Sequence, residues 1–171
     1  KSIQDNIKSG KNAIIAELKR CSPSKGYLNK ELDITFIGTP YDNRFEFIDQ
    51  LSRDLKTTIH IFSAEWRNLK KKLGSRSNVI INNAVYNSKY RSVINKSKIM
   101  LGFITQSNQD DLSNRSFEIT ACGSFLLSPR SPLQERIFRE NIEAVYFDDI
   151  HDCVSKVDYF LANPEERENI A

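Results

Sequence analysis

Short apolar runs rich in β-branched residues alternate with segments of helical period along most of this chain. Residues 33–38 (DITFIG), 57–62 (TTIHIF), 78–81, 99–103, 125–127 and 144–147 (AVYF) read as strands. Between them, residues 45–55 place Phe45, Ile48, Leu51 and Leu55 on one helical face. Helices are also expected over residues 86–95, 114–122 and 132–139, with Pro132 suited to a helix start, and over a basic segment 66–73 that closes at Gly74. Residues 149–161 form an amphipathic segment with Cys153, Val154, Val157 and Leu161 inward, and Pro164 opens a last short helix. Strands alternating with helices predict an α/β fold, a doubly wound parallel sheet with helices on both faces. Ligands of such sheets bind beyond the carboxyl ends of the strands. The loops after Gly38 and Phe103, and the helix opened by Ser113, are therefore the places where function is expected.

The stretch 97–130 (SKIMLGFITQSNQDDLSNRSFEITACGSFLLSPR) carries the clearest chemistry. Ser113 is a good N-cap and Gly123 a natural helix stop. Arg115 falls in the first helical turn, where unpaired amides and the helix dipole favour anions, and Glu118 lies on the same face three residues on. A cation beside free amides, with a carboxylate next to it, suits a phosphate and a hydroxyl of one ligand. The same two residues also fit a surface ion pair contributing roughly 0.2–0.5 kcal/mol. Upstream, GTPYDNR places a strand-end glycine, Gly38, before a basic residue at a helix start, Arg44. Glycine permits close backbone approach to a phosphate that Arg44 could neutralise, although glycine turns after strands are common. Asp110, Asp111 and Glu118 form an acidic group without the alternating spacing of a calcium loop. His60 and His151 have no paired nucleophile or acid in the pattern, so structural roles are expected of both.

The chain has 171 residues with 25 basic and 22 acidic side chains, a net charge of +3 that does not by itself imply nucleic acid. The charge is uneven: residues 53–98 carry eleven basic and two acidic groups, and residues 132–171 four basic and ten acidic. A basic middle suits an anionic ligand or a solvated helical surface equally. Cys21, Cys122 and Cys153 are far apart and lack metal spacing, so reduced thiols and a cytoplasmic location are expected. No apolar run approaches the roughly 20 residues of a transmembrane helix, and there is no signal peptide, Walker A loop, six-residue glycine fingerprint or Ser/His/Asp arrangement. A chain beginning at Lys1 is expected to be an excerpt of a longer protein.

From residue 33 onward the chain resembles the C-terminal half of glycosyltransferases of the spore-maturation, CgeB-like type. The pieces that carry the resemblance are DITFIGTPYDNR, NKSKIMLGF, RSFEITACGSFLLSPR, ERIFREN, AVYFDD and VDYFLANPEERENIA, in the family's order and over about four fifths of the chain. The resemblance implies the GT-B architecture of two Rossmann-like domains, with the nucleotide-sugar donor held mainly by the C-terminal one. It implies that Glu118 contacts the donor's ribose hydroxyls, that Arg44 and Arg115 contact the diphosphate, and that Gly38 allows close approach. An earlier glutamate that contacts the sugar in many such enzymes is replaced here by the shorter Asp110. No metal and no cofactor are implied, because cations and helix N-termini stabilise the leaving diphosphate. The catalytic residue and the acceptor are not identified, and an N-terminal GT-B domain is expected outside this chain.

The N-terminal IKSGKNAIIAELKRCSPSKGYL resembles the first barrel strand of indole-3-glycerol-phosphate synthase, whose catalytic acid and lysine would be Glu17 and Lys19. That enzyme needs a complete barrel of roughly 250 residues, and nothing after residue 33 continues its pattern. Residues 1–32 are accordingly expected to be an N-terminal segment or interdomain linker, and residues 33–171 the nucleotide-sugar-binding domain. The expected function is donor binding for sugar transfer. The alternatives are a phosphate-ligand lyase using Glu17 and Lys19, or a non-catalytic α/β module binding protein or polyanion.

Overall fold

The computed structural model describes residues 30–74, 78–105, 107 and 110–171. Among these residues six strands, β1 (Leu32–Ile37), β2 (Ile59–Phe62), β3 (Val79–Asn82), β4 (Ser97–Leu101), β5 (Leu126–Pro129) and β6 (Val145–Phe147), form one sheet of order β3-β2-β1-β4-β5-β6. Every pairing is parallel, with Ile34 opposite Ile59 on one side and Ile99 on the other. Among the described residues the helices are α1 (Arg44–Asp54), α2 (Asn87–Lys96), α3 (Asn114–Ala121), α4 (Pro132–Ile137), α5 (Ile150–Ala162) and α6 (Pro164–Ile170). This is the expected doubly wound, Rossmann-like α/β sheet.

The period of two along each strand sends neighbouring side chains to opposite faces, and both faces are buried. Ile34, Phe36, Ile99 and Leu101 pack with Ile48 and Leu51 of α1 and Val157 and Phe160 of α5. Ile37, Met100, Leu126 and Tyr146 pack on the other face with Ile94 of α2 and Ile119 of α3. Each fully buried Leu or Ile contributes roughly 1.5–3 kcal/mol, so this two-sided burial is the main source of the fold's stability.

Helix limits follow local chemistry. The hydroxyls of Ser113 and Ser131 and the carboxylate of Asp149 accept backbone amides at the starts of α3, α4 and α5. Gly123, the expected stop after α3, has φ 63°, a value that favours glycine. The basic segment expected to be a helix to Gly74 is instead a 3-10 turn, Glu65–Leu69, followed by turns. Trp66 explains the difference: its fully buried ring meets Phe36 edge-on, and its indole N–H donates to the Gly38 carbonyl at 2.9 Å. In α5 the innermost residue of the last turn is Phe160, 4.7 Å from Phe125 between ring centroids, while Leu161 is only partly buried.

Strand β1 begins at Leu32. Most of the synthase-like N-terminal segment, with Glu17 and Lys19, lies outside the described residues. The described strands form an open sheet with β3 and β6 at its edges, not a closed barrel. Among the described residues no helix is long and apolar enough to cross a membrane.

Candidate functional site

The chain leaves β1 toward β2 and β3, then returns to build β4 on the other side of β1. That reversal opens a crevice at the carboxyl ends of β1 and β4. Two cavities occupy it. One, of about 360 Å³, is lined by Gly38, Ser63, Glu65, Tyr86, Arg115 and Glu118 among others. The second, of about 270 Å³, is lined by Thr39, Tyr41, Arg44, Thr105, Ser113 and Arg115 among others. Ile37, Gly38, Thr39 and Arg115 border both.

Arg44, the first residue of α1, is only 8% exposed. Its guanidinium donates to the Thr39 carbonyl at 3.3 Å and to the Thr105 hydroxyl at 3.0 Å, tying the loop after β1 to the loop after β4. Its Nε has no partner. Burial pulls the guanidinium pKa below its ordinary value; the Asp42 carboxylate opposes that shift and the Arg115 cation adds to it. An arginine stays protonated under these conditions, so a mostly buried cation lines the crevice.

Arg115 and Glu118 are joined by an ion pair of 3.3 Å, as their spacing on α3 requires. Tyr90 of α2 completes the cluster. Its hydroxyl accepts from Arg115 and donates to Glu118, and the guanidinium lies 4.9 Å from its ring centroid. Burial, followed by the hydrogen bond to Glu118, pushes the Tyr90 phenol above its ordinary value, so it remains a neutral donor. The pair is thus part of a three-residue unit spanning two helices. Its carboxylate stays 48% exposed along the side chain and open to a ligand.

Helix α3 is held from below by a buried polar chain. The Gln134 amide donates to the Ser128 hydroxyl at 2.9 Å and the Pro129 carbonyl at 3.0 Å, and accepts from the Ser116 hydroxyl at 2.5 Å. Ser128 in turn donates to the Gly102 carbonyl at 2.5 Å. The helix that carries Arg115 and Glu118 is therefore tied to the ends of β4 and β5.

Of the residues singled out in the sequence, Gly38, Arg44, Arg115 and Glu118 converge on this crevice. A Cβ on Gly38 would meet the buried Phe36 ring at 2.8 Å, so packing alone requires glycine there. Asp110 is exposed in the loop after β4, its amide donating to the Thr105 carbonyl at 3.3 Å, and it lines neither cavity. His60 is partly buried within β2, and His151 is exposed on α5. Among the described residues no three of His, Cys, Asp or Glu converge as a metal-binding group. Sequence reasoning missed Tyr90, Tyr86 and the Ser63–Glu65 pair. The one signal in the sequence was the Tyr86/Tyr90 spacing of four, which brings both rings to one side of a helix start.

Comparison with solved structures agrees with this architecture. The chain is similar to Anabaena HepE in complex with UDP and glucose, with a TM-score of 0.65 and 11% identity over 94% of this chain and 48% of that one. It is similar to the C-terminal domain of the glycosyl transferase group 1 family protein LpcC from Francisella tularensis, with a TM-score of 0.61 and 15% identity over 84% and 82% of the two chains. The sucrose-phosphate synthase of Thermosynechococcus elongatus gives a TM-score of 0.62 and 14% identity over 84% and 39%. Identities this low show the fold alone. The chain spans about half the length of HepE and most of the LpcC domain. No curated protein sequence matches it. The glycosyl transferase-like family profile, however, matches residues 44–171, which run from the start of α1 to the C-terminus and include Arg44, Arg115 and Glu118. The chain belongs to the glycosyl transferase-like family.

Proposed function

We propose that this chain is the donor-binding domain of a GT-B glycosyltransferase of the CgeB-like kind, moving a sugar from a nucleoside diphosphate to an acceptor. The observation that carries the proposal is Arg115. It borders both cavities, sits in the first turn of a helix beginning at a crevice, and is linked to an accessible carboxylate three residues on. In this reading the diphosphate lies between Arg44 and Arg115, at the positive end of the α3 dipole. The Arg44 guanidinium lines the smaller cavity and sets a cation beside it. Negative charge grows on the diphosphate as the sugar leaves, and two cations in a partly water-excluded crevice stabilise that charge without a metal ion or cofactor. Glu118, oriented by Tyr90, accepts from the ribose hydroxyls. Asp110, exposed after β4, is available to the sugar.

The family membership and the UDP and glucose bound by HepE support a nucleotide-sugar donor. The acceptor and the catalytic base belong, in this reading, to an N-terminal GT-B domain outside the chain. Cys122 and Cys153 are free, which supports a cytoplasmic location. A thermal-shift panel of nucleoside diphosphates and their sugars tests the proposal. A ligand at one hundred times its Kd stabilises by about 2.7 kcal/mol, so a shift of several degrees is expected for one nucleotide, lost in Arg115→Ala and Glu118→Ala. Absence of a shift with every nucleotide would overturn it.

A further inference from the structure

The larger cavity contains a second carboxylate that the donor reading leaves unused. Glu65 stands at the start of the 3-10 turn after β2 and lines the same cavity as Glu118. Ser63, only 4% exposed at the end of β2, donates its hydroxyl to one Glu65 oxygen. That bond and one from the Glu65 backbone amide orient the carboxylate, whose two oxygens have about four lone-pair sites and so keep acceptor capacity for a ligand. The Ser63 bond also holds the carboxyl below the usual carboxylate range, so it is ionised at neutral pH. Tyr86 lines this cavity too and is 73% exposed, an uncovered aromatic surface of the kind on which nucleobases stack.

We infer that Glu65 reads the base of the donor and selects guanine, so that the chain takes a guanosine diphosphate sugar. The inference rests on the donor-site reading and adds the identity of the base. Its basis is hydrogen-bond complementarity. An ionised carboxylate only accepts. Guanine presents two adjacent donors, N1–H and the N2 amine, matching the two carboxylate oxygens. Uracil presents a single N–H flanked by two carbonyls, which would face the carboxylate with like charge. Cytosine and adenine each set one amine beside a ring-nitrogen acceptor, so one carboxylate oxygen would meet a lone pair. With the ribose on Glu118, base and sugar of one nucleoside share the cavity, and Tyr86 supplies a stacking surface that does not discriminate among bases.

Titration calorimetry of the chain with GDP, IDP, UDP, CDP and ADP tests this. Hydrogen bonds to a charged group are strong enough that GDP should bind roughly 10- to 100-fold tighter than UDP, CDP or ADP. IDP, which lacks the N2 amine, should fall between. Glu65→Gln removes the charge and turns one of the two acceptors into a donor, so GDP should weaken, UDP should bind at least as well as to the parent, and the preference for GDP should be lost. Glu118→Ala should weaken all the nucleotides together. UDP, CDP or ADP binding as tightly as GDP, or Glu65→Gln weakening every nucleotide equally, would overturn guanine selection and leave the donor site standing. No binding by any nucleotide would overturn both.

Discussion

Replacing Gln134 with leucine tests whether helix α3 is held in place by its buried polar chain. Leucine keeps much of the side-chain volume and removes only the amide. Gln134, Ser116 and Ser128 are all fully buried, so water cannot replace the lost partners. The substitution deletes the bonds of 2.9 Å to Ser128 and 3.0 Å to the Pro129 carbonyl, and the bond of 2.5 Å from Ser116. Ser128 keeps its own acceptor at Gly102, so the loss falls on the Pro129 carbonyl and the Ser116 hydroxyl. Leaving a buried polar group unsatisfied costs roughly 1–3 kcal/mol. Ser116 can recover part of this by turning to a carbonyl in the preceding turn. The expected loss is therefore about 2–4 kcal/mol by urea denaturation at unchanged m-value, equivalent to roughly 5–15 °C in Tm. Ser116→Ala in the Gln134→Leu background should cost less than in the parent, because that hydroxyl has already lost its partner. A Gln134→Leu chain within 0.5 kcal/mol of the parent, or strict additivity of the two substitutions, would refute the reasoning.

Gly102→Ala should destabilise by about 1–3 kcal/mol in the same assay, because a Cβ there would sit 2.5 Å from the Cδ1 of the fully buried Leu126. His60 supplies a pH dependence. Burial holds its folded pKa below the ordinary 6.5, with Asp33 opposing, so the unfolded chain takes up the proton first as pH falls. Stability from this group is present above pH 6.5 and is lost as pH drops below it, and His60→Gln should flatten the urea midpoint between pH 7 and 5.5. An unchanged profile would contradict the assignment.

The parts of this molecule that were legible in the sequence are those written in local pattern. Ser113 and Gly123 bracket α3 because caps are decided within one turn, and Arg115 and Glu118 meet because three residues apart on a helix are neighbours. The alternation of strand and helix sufficed for the doubly wound sheet, and the sheet's reversal located the crevice. What was not legible depends on contacts distant along the chain. Tyr90 bridges Arg115 and Glu118 across 25 and 28 residues, and Arg44 reaches Thr105 across 61. Neither spacing has a sequence signature. The basic segment after β2 failed as a helix for the same reason: Trp66 is drawn to Gly38, 28 residues away, and its burial outweighs the local preference. Phe160 enters the core beside the half-buried Leu161 because its ring meets Phe125, which no helical period specifies.

The central claim is that a nucleoside diphosphate lies across the crevice between Arg44 and Glu118. A structure of the chain with a bound nucleoside diphosphate tests it most directly. The account predicts ribose hydroxyls within hydrogen-bond distance of the Glu118 carboxylate and diphosphate oxygens on the guanidiniums of Arg44 and Arg115. A nucleotide bound instead in the neighbouring cavity of about 340 Å³ on the other side of Arg44, beside Phe147, Asp149 and Ile150, with Arg115 and Glu118 untouched, would contradict it.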